Sequence, residues 1–133
     1  MTQAFRAALQ HPRWWVVMGL LWVAIIVAGC FAPSQPDVGV LGFDKVLHIS
    51  AFAGLAFWFG AVYEKRRHLL IAALLITLGL AIEIAQGQTG YRSGDMFDLI
   101  ADTIGVALGI GLARTRLANA LRYIEARVIP ARN

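Results

Sequence analysis

The chain has 133 residues, of which 59% are hydrophobic and 15% charged, with a formal net charge of +4. A soluble domain of this size carries about 25% charged residues, so the composition excludes an ordinary water-soluble domain and indicates a membrane protein. The length leaves no room for two independent domains, and a single domain over 1–133 is expected. The positive charge does not mark a nucleic-acid binder. The arginines flank apolar segments instead of lying among polar residues, so membrane lipids are the expected partner and nucleic acid is not.

Phe5, Arg6 and Leu9 begin the chain with a mixed basic and apolar segment suited to an interface. The first long apolar run covers about 14–32. It contains Val27-Ala28-Gly29-Cys30, which has the form of a bacterial lipoprotein cleavage box. A signal-peptide core, however, has 7–15 apolar residues. The 19 residues from Trp14 to Ala32 suit a helix crossing about 30 Å of hydrocarbon, and the membrane-helix reading is taken. Cys30 is the single cysteine, which excludes an intrachain disulfide.

Pro33, Pro36, Gly39 and Gly42, with Val38, Val40, Leu41 and Phe43 between them, predict an irregular interfacial loop covering one end of the bundle. A second span at about 46–63 carries His48 and Ser50, with Asp44 as its expected N-cap. A third, about 69–85, carries Glu83. A Gly-rich polar loop from Gly87 to Gly94 follows, with Ser93 as the expected cap of a fourth span at about 96–113, which carries Asp98 and Asp102. Beyond Arg114, Leu117, Leu121, Ile124 and Val128 recur at helical spacing opposite Arg116, Arg122 and Arg127. The tail 114–133 is thus read as an amphipathic basic helix on the membrane surface. The expected fold is an all-α four-helix transmembrane bundle with that helix at its cytoplasmic surface.

Charge sets the expected orientation. Ten of the 12 basic residues (Arg6, Arg13, Lys65, Arg66, Arg67, Arg114, Arg116, Arg122, Arg127 and Arg132) lie on one side of the spans. By the positive-inside rule that side is the cytoplasm, and both termini are cytoplasmic. Six of the eight acids (Asp37, Asp44, Glu83, Asp95, Asp98 and Asp102) fall at or near the other face, accompanied only by Lys45 and Arg92.

Ionisable groups inside a span cost several kcal/mol, so they face the bundle interior and mark a site. Asp95, Asp98, Asp102, Gly105 and Gly109 follow one another at intervals of 3, 4, 3 and 4, which keeps them on one helical stripe. The glycines let a second backbone approach, in the manner of Gly-xxx-Gly helix pairs, so the stripe faces protein. Glu83, Gln86 and Gly79 share a face of the third span, and Asp44, Lys45 and His48 share the start of the second. These groups meet only if spans two, three and four pack together. The predicted outward-facing polar pocket comprises Asp44, Lys45, His48, Glu83, Gln86, Arg92, Asp95, Asp98 and Asp102.

Five acids against two bases leave an excess of negative charge, to be met by protons, a cation or a basic ligand. Three readings stay open. His48, Glu83, Asp98 and Asp102 are of the types that hold a divalent cation, although their spacing matches no specific ligand signature and no metal is assigned. His48 or Glu83 could serve as a general base beside an anion held by Arg92 and Lys45. The same residues could form a paired network or a binding pocket without chemistry. No nucleophile, Gly-rich phosphate loop or zinc pattern is present.

Asp44-Lys45-x-x-His48 followed by Phe52, and then Glu83-x-x-Gln86, Arg92, Asp95, Asp98, Asp102, Gly105 and Gly109, resemble the two blocks of VanZ-like proteins. The resemblance spans about Asp44 to Gly109, and Asp102 stands where that family often has Asn. It implies a small bacterial polytopic protein of the cytoplasmic membrane. It also implies a link to glycopeptide (teicoplanin) resistance, the property of the family's namesake, and no defined enzymatic mechanism. The function expected from residues and resemblance together is binding of a lipid, a lipid-linked envelope precursor or a glycopeptide at the polar pocket, without catalysis. The alternatives are an enzyme acting on a lipid-linked phosphate or ester, and a proton-coupled lipid or small-molecule transporter.

Overall fold

In the computed structural model, residues 5–6, 9–32, 42–90 and 95–128 are described below. They form five helices: α1 (Pro12–Cys30), α2 (Phe43–Val62), α3 (His68–Gly87), α4 (Met96–Ala113) and α5 (Ala120–Val128). Short 3-10 turns at Lys65–Arg67 and Arg116–Asn119 precede α3 and α5. Among the described residues there is no strand, only an isolated bridge between Phe5 and Tyr63. Four helices are long and apolar enough to cross a membrane: Pro12–Cys30, Phe43–Val62, Lys65–Gly87 and Met96–Ala113. All four expected spans are present, with α1 to α3 displaced by a few residues from their expected bounds. The fold is the all-α four-span arrangement read from the sequence.

The helix starts follow local chemistry, with two departures from expectation. Pro12 opens α1, where its missing N–H costs nothing because first-turn donors have no helical partner. Gly42, not Asp44, is the N-cap of α2, and its φ of 80° is a left-handed conformation that favours glycine. Asp44 lies within the first turn, where a negative charge suits the helix dipole. Asp95 caps α4 by accepting a hydrogen bond from the Phe97 N–H at 2.8 Å. The expected cap Ser93, the site candidate Arg92 and the interfacial loop over 33–41 lie outside the described residues.

The helices run alternately up and down. α2 is central and packs most extensively on α4, through the glycine stripe. A Cβ on Gly105 would stand 2.5 Å from the Ile49 carbonyl oxygen, and one on Gly109 would strike the Ala53 carbonyl. Only hydrogen at these positions lets the two backbones approach so closely. Between α2, α3 and α4, Phe52, Leu55, Ala56, Ile71, Leu75, Ile82 and Val106 form a buried apolar cluster. α1 is more peripheral. It packs Gly19 under Trp58 and Phe59, and lays Trp22 on Gly54. Large apolar side chains such as Ile25, Leu69 and Leu108 stay exposed on the outside of the bundle, the pattern of helices meeting lipid.

The end of the bundle that holds most of the described basic residues is tied by two groups, Arg6 and Glu125, to which the sequence assigns no tying role. The Arg6 guanidinium donates to the carbonyls of Ala113 (2.7 Å), Gly60 (3.3 Å) and Tyr63 (3.4 Å), joining the C-terminal ends of α2 and α4. Glu125 of α5 accepts hydrogen bonds from the backbone N–H groups of Gln10 and His11, both at 2.8 Å, and from the Trp15 indole at 3.2 Å. It therefore caps the start of α1 from across the molecule. In the described part of the tail, α5 turns Leu121 and Glu125 to protein, while Leu117, Ile124 and Val128 are exposed.

Candidate functional site

The other end of the bundle, where α2 and α4 start and α3 ends, gathers the ionisable residues of the spans. Lys45 projects from the first turn of α2 into a ring of carboxylates. Its ammonium is 2.9 Å from Asp44 Oδ2, 2.6 Å from Asp95 Oδ2, and in direct contact with Asp98 Oδ1. One turn deeper, His48 Nδ1 is 2.8 Å from Asp102 Oδ1, and its Nε2 faces Asp98 Oδ2 at 3.6 Å. Glu83 enters from α3. Its Oε2 accepts the Asp95 N–H at 2.7 Å, while Oε1 is buried without a hydrogen-bond partner. Donor atoms of His48, Glu83 and Asp98 all lie within 4.8 Å of one another.

The helical stripe explains this convergence. Asp98 and Asp102 are four apart on α4, one turn above Gly105, so the contact that brings α4 onto α2 also delivers both carboxylates to Lys45 and His48. Gly79 on α3 makes room for Asp102: a Cβ there would lie 2.6 Å from Asp102 Oδ2. Exposure falls with depth. Side-chain exposure is 55% at Asp44, 29% at Lys45, 17% at His48, 15% at Asp98 and 1% at Asp102. Asp95, at the mouth, has its carboxyl held below the usual range, chiefly by the Lys45 ammonium and then by the Phe97 N–H.

Six of the nine expected residues are thus brought together: Lys45, His48, Glu83, Asp95, Asp98 and Asp102. Asp44 touches the group only through Lys45, at its solvent edge. Gln86 is buried but turns elsewhere, donating to the Cys30 carbonyl at 2.8 Å and so pinning the end of α1 to α3. Arg92 is outside the described residues. Lys45, read from sequence as a holder of anions, is engaged by three carboxylates. An apolar groove of about 470 Å³ runs between α1, α2 and α3 past Val16, Leu20, Phe59 and Leu74, and does not reach the polar cluster.

Membrane-crossing helices around a shared polar cluster define the class, a small polytopic membrane protein. The family model described as VanZ/LLP1 matches residues 3–119, nearly the whole chain, and the chain belongs to that family. An uncharacterized protein of Schizosaccharomyces pombe, C11E3.10, is 27% identical over 94 residues, covering 68% of this chain and 58% of that protein. The chain therefore spans somewhat over half the length of that relative. No solved structure matches.

Proposed function

We propose that this VanZ-like chain is a cell-envelope membrane protein that binds the polar head of a lipid or lipid-linked envelope molecule at the acidic end of the α2–α4 bundle. The observation that carries the reading is the graded exposure of the cluster, from an open mouth at Asp44 and Lys45 to a closed floor at Asp102. A network serving only to fix helix register has no need of an open mouth. The charge distribution supports an orientation with both termini cytoplasmic and the acidic end outward. With that orientation, the mouth of a bacterial chain would open at the outer surface of the cytoplasmic membrane. Among the described residues, five carboxylates meet one ammonium, an excess of negative charge when His48 is neutral. The fitting head group carries an amine or arrives with a cation. Altered tolerance of teicoplanin would be one consequence of holding such a molecule.

Native mass spectrometry of the detergent-purified full chain tests the reading. A lipid should stay bound to the wild type and be lost from Asp98→Asn without loss of the folded state. Equal retention by both proteins refutes it. A second reading, acid–base chemistry on a lipid-linked phosphate or ester, is favoured by one feature. Asp102 holds His48 Nδ1 and leaves Nε2 as a base. It predicts turnover that vanishes in His48→Ala while lipid retention persists.

A further inference from the structure

Beyond this head-group reading, and independent of it, we propose that His48 Nε2, Glu83 Oε1 and Asp98 Oδ2 form a divalent-cation site, with Asp102 as the positioning residue for the imidazole. Three observations meet there. The first is the Glu83 side chain, 5% exposed, with one carboxylate oxygen that has no hydrogen-bond partner. A buried carboxylate oxygen left unpaired is costly, and a cation satisfies it. The second is spacing. One ligand atom from each of His48, Glu83 and Asp98 lies within 4.8 Å of the other two, and His48 Nε2 and Asp98 Oδ2 face each other at 3.6 Å, too far apart for a hydrogen bond. Metal–ligand bonds of about 2.0–2.2 Å place adjacent tetrahedral donors about 3.3 Å apart, so side-chain shifts of about 1.5 Å or less close the site.

The third observation is the partner of the second imidazole nitrogen. Asp102 Oδ1 lies 2.8 Å from His48 Nδ1, accepts a hydrogen bond from its N–H, and so favours the neutral tautomer that leaves Nε2 a free lone pair. A carboxylate behind a histidine is the usual outer support of a metal-bound imidazole. The remaining oxygens are already assigned: Asp98 Oδ1 to Lys45, and Glu83 Oε2 to the Asp95 N–H. Each ligand residue thus keeps one donor atom for a common centre. One nitrogen and two carboxylate oxygens suit Zn²⁺ or Mn²⁺, and three protein ligands leave a coordination position open towards the mouth. A divalent cation there offsets two of the negative charges, and its vacant position can take an oxygen of a phosphate or carboxylate head.

The test uses the full chain in detergent, stripped with EDTA and titrated with Zn²⁺ and separately with Mn²⁺. Stoichiometry is read by elemental analysis and affinity by competition with a chromogenic chelator. One ion per chain is expected. Affinity should fall about 10–100-fold in Asp102→Asn, which leaves all three ligands in place, and further in Glu83→Gln and His48→Ala. Gln86→Ala, at the same end but bonded to the Cys30 carbonyl, should bind as the wild type does. Tryptophan fluorescence and monodisperse elution report folding. If Glu83→Gln does not fold, Asp102→Asn and His48→Ala decide the matter. Substoichiometric metal, or affinity indifferent to His48, Glu83 and Asp102, overturns the site. Lipid retention is read in the same preparations. Metal bound without lipid therefore defeats the head-group proposal alone, and lipid bound without metal defeats this one alone.

Discussion

Replacing Gly105 by alanine tests the contact on which the cluster depends. The new Cβ would stand 2.5 Å from the Ile49 carbonyl oxygen and 3.0 Å from the Ala53 nitrogen, against 3.4–4 Å for ordinary contact. Both neighbours are backbone, so no side chain can swing aside, and α4 must part from α2 by roughly 1 Å. Overpacking of this kind costs about 1–3 kcal/mol, while alanine gains up to about 1 kcal/mol over glycine in a helix interior. Gly111 on the same helix separates the two effects, because a Cβ there meets nothing within 4 Å. The propensity term is common to Gly105→Ala and Gly111→Ala, so their difference isolates the steric cost, about 1–3 kcal/mol. Unfolding of the purified protein in mixed micelles of rising SDS fraction, followed by tryptophan fluorescence, measures it. Gly111→Ala should match or exceed the wild type, and Gly105→Ala should unfold earlier. Equal behaviour of the two variants would refute the close α2–α4 approach.

Gly79→Ala should displace the Asp102 carboxylate, against which its Cβ would press at 2.6 Å. An NMR titration of His48 should then report a changed imidazole pKa even where the fold survives. Glu125→Ala leaves three donors unsatisfied at the start of α1 and should cost about 1–3 kcal/mol per group that water cannot reach, read as a lower thermal midpoint. The same residue predicts a pH dependence. Burial pushes the Glu125 carboxyl up, but hydrogen bonds from Gln10, His11 and Trp15 outweigh it and hold the group below its ordinary 4.5. A carboxyl lowered on folding adds stability that is present above the unfolded value and lost as pH falls through the folded one. The midpoint of the wild type relative to Glu125→Gln should therefore shrink on acidification below about pH 4.5, and a constant difference would contradict the capping role. Arg6→Met should lower the midpoint by removing guanidinium bonds to the ends of α2 and α4, about 1–3 kcal/mol in total; an unchanged midpoint would show that water replaces them.

The acidic cluster was legible in the sequence because helical periodicity is a local rule. Once Met96–Ala113 is a helix, Asp98, Asp102, Gly105 and Gly109 must share a stripe. Polar groups on a membrane helix must turn away from lipid, so the partners of that stripe were restricted to the other polar faces, those of His48 and Glu83. The errors have equally local causes. Asp44 was read as a cap by residue type, but the left-handed turn at Gly42 starts the helix two residues earlier. Gln86 shares a helical face with Glu83, yet one turn of difference carries its amide to the Cys30 carbonyl. Glu125 and Arg6 gave no signal, because each acts on backbone groups more than 50 residues away, and backbone carries no sequence mark.

By itself, then, the amino-acid sequence determined the four spans, their all-α character and the membership of the acidic stripe, since hydrophobic length and helical period depend only on neighbours along the chain. The tertiary structure alone decided how charges pair within the cluster. It set Lys45 among three carboxylates, His48 against Asp102, and one buried oxygen of Glu83 without a partner. Those outcomes depend on the distance between α2, α3 and α4, which is fixed by glycine contacts with backbone atoms far away along the chain.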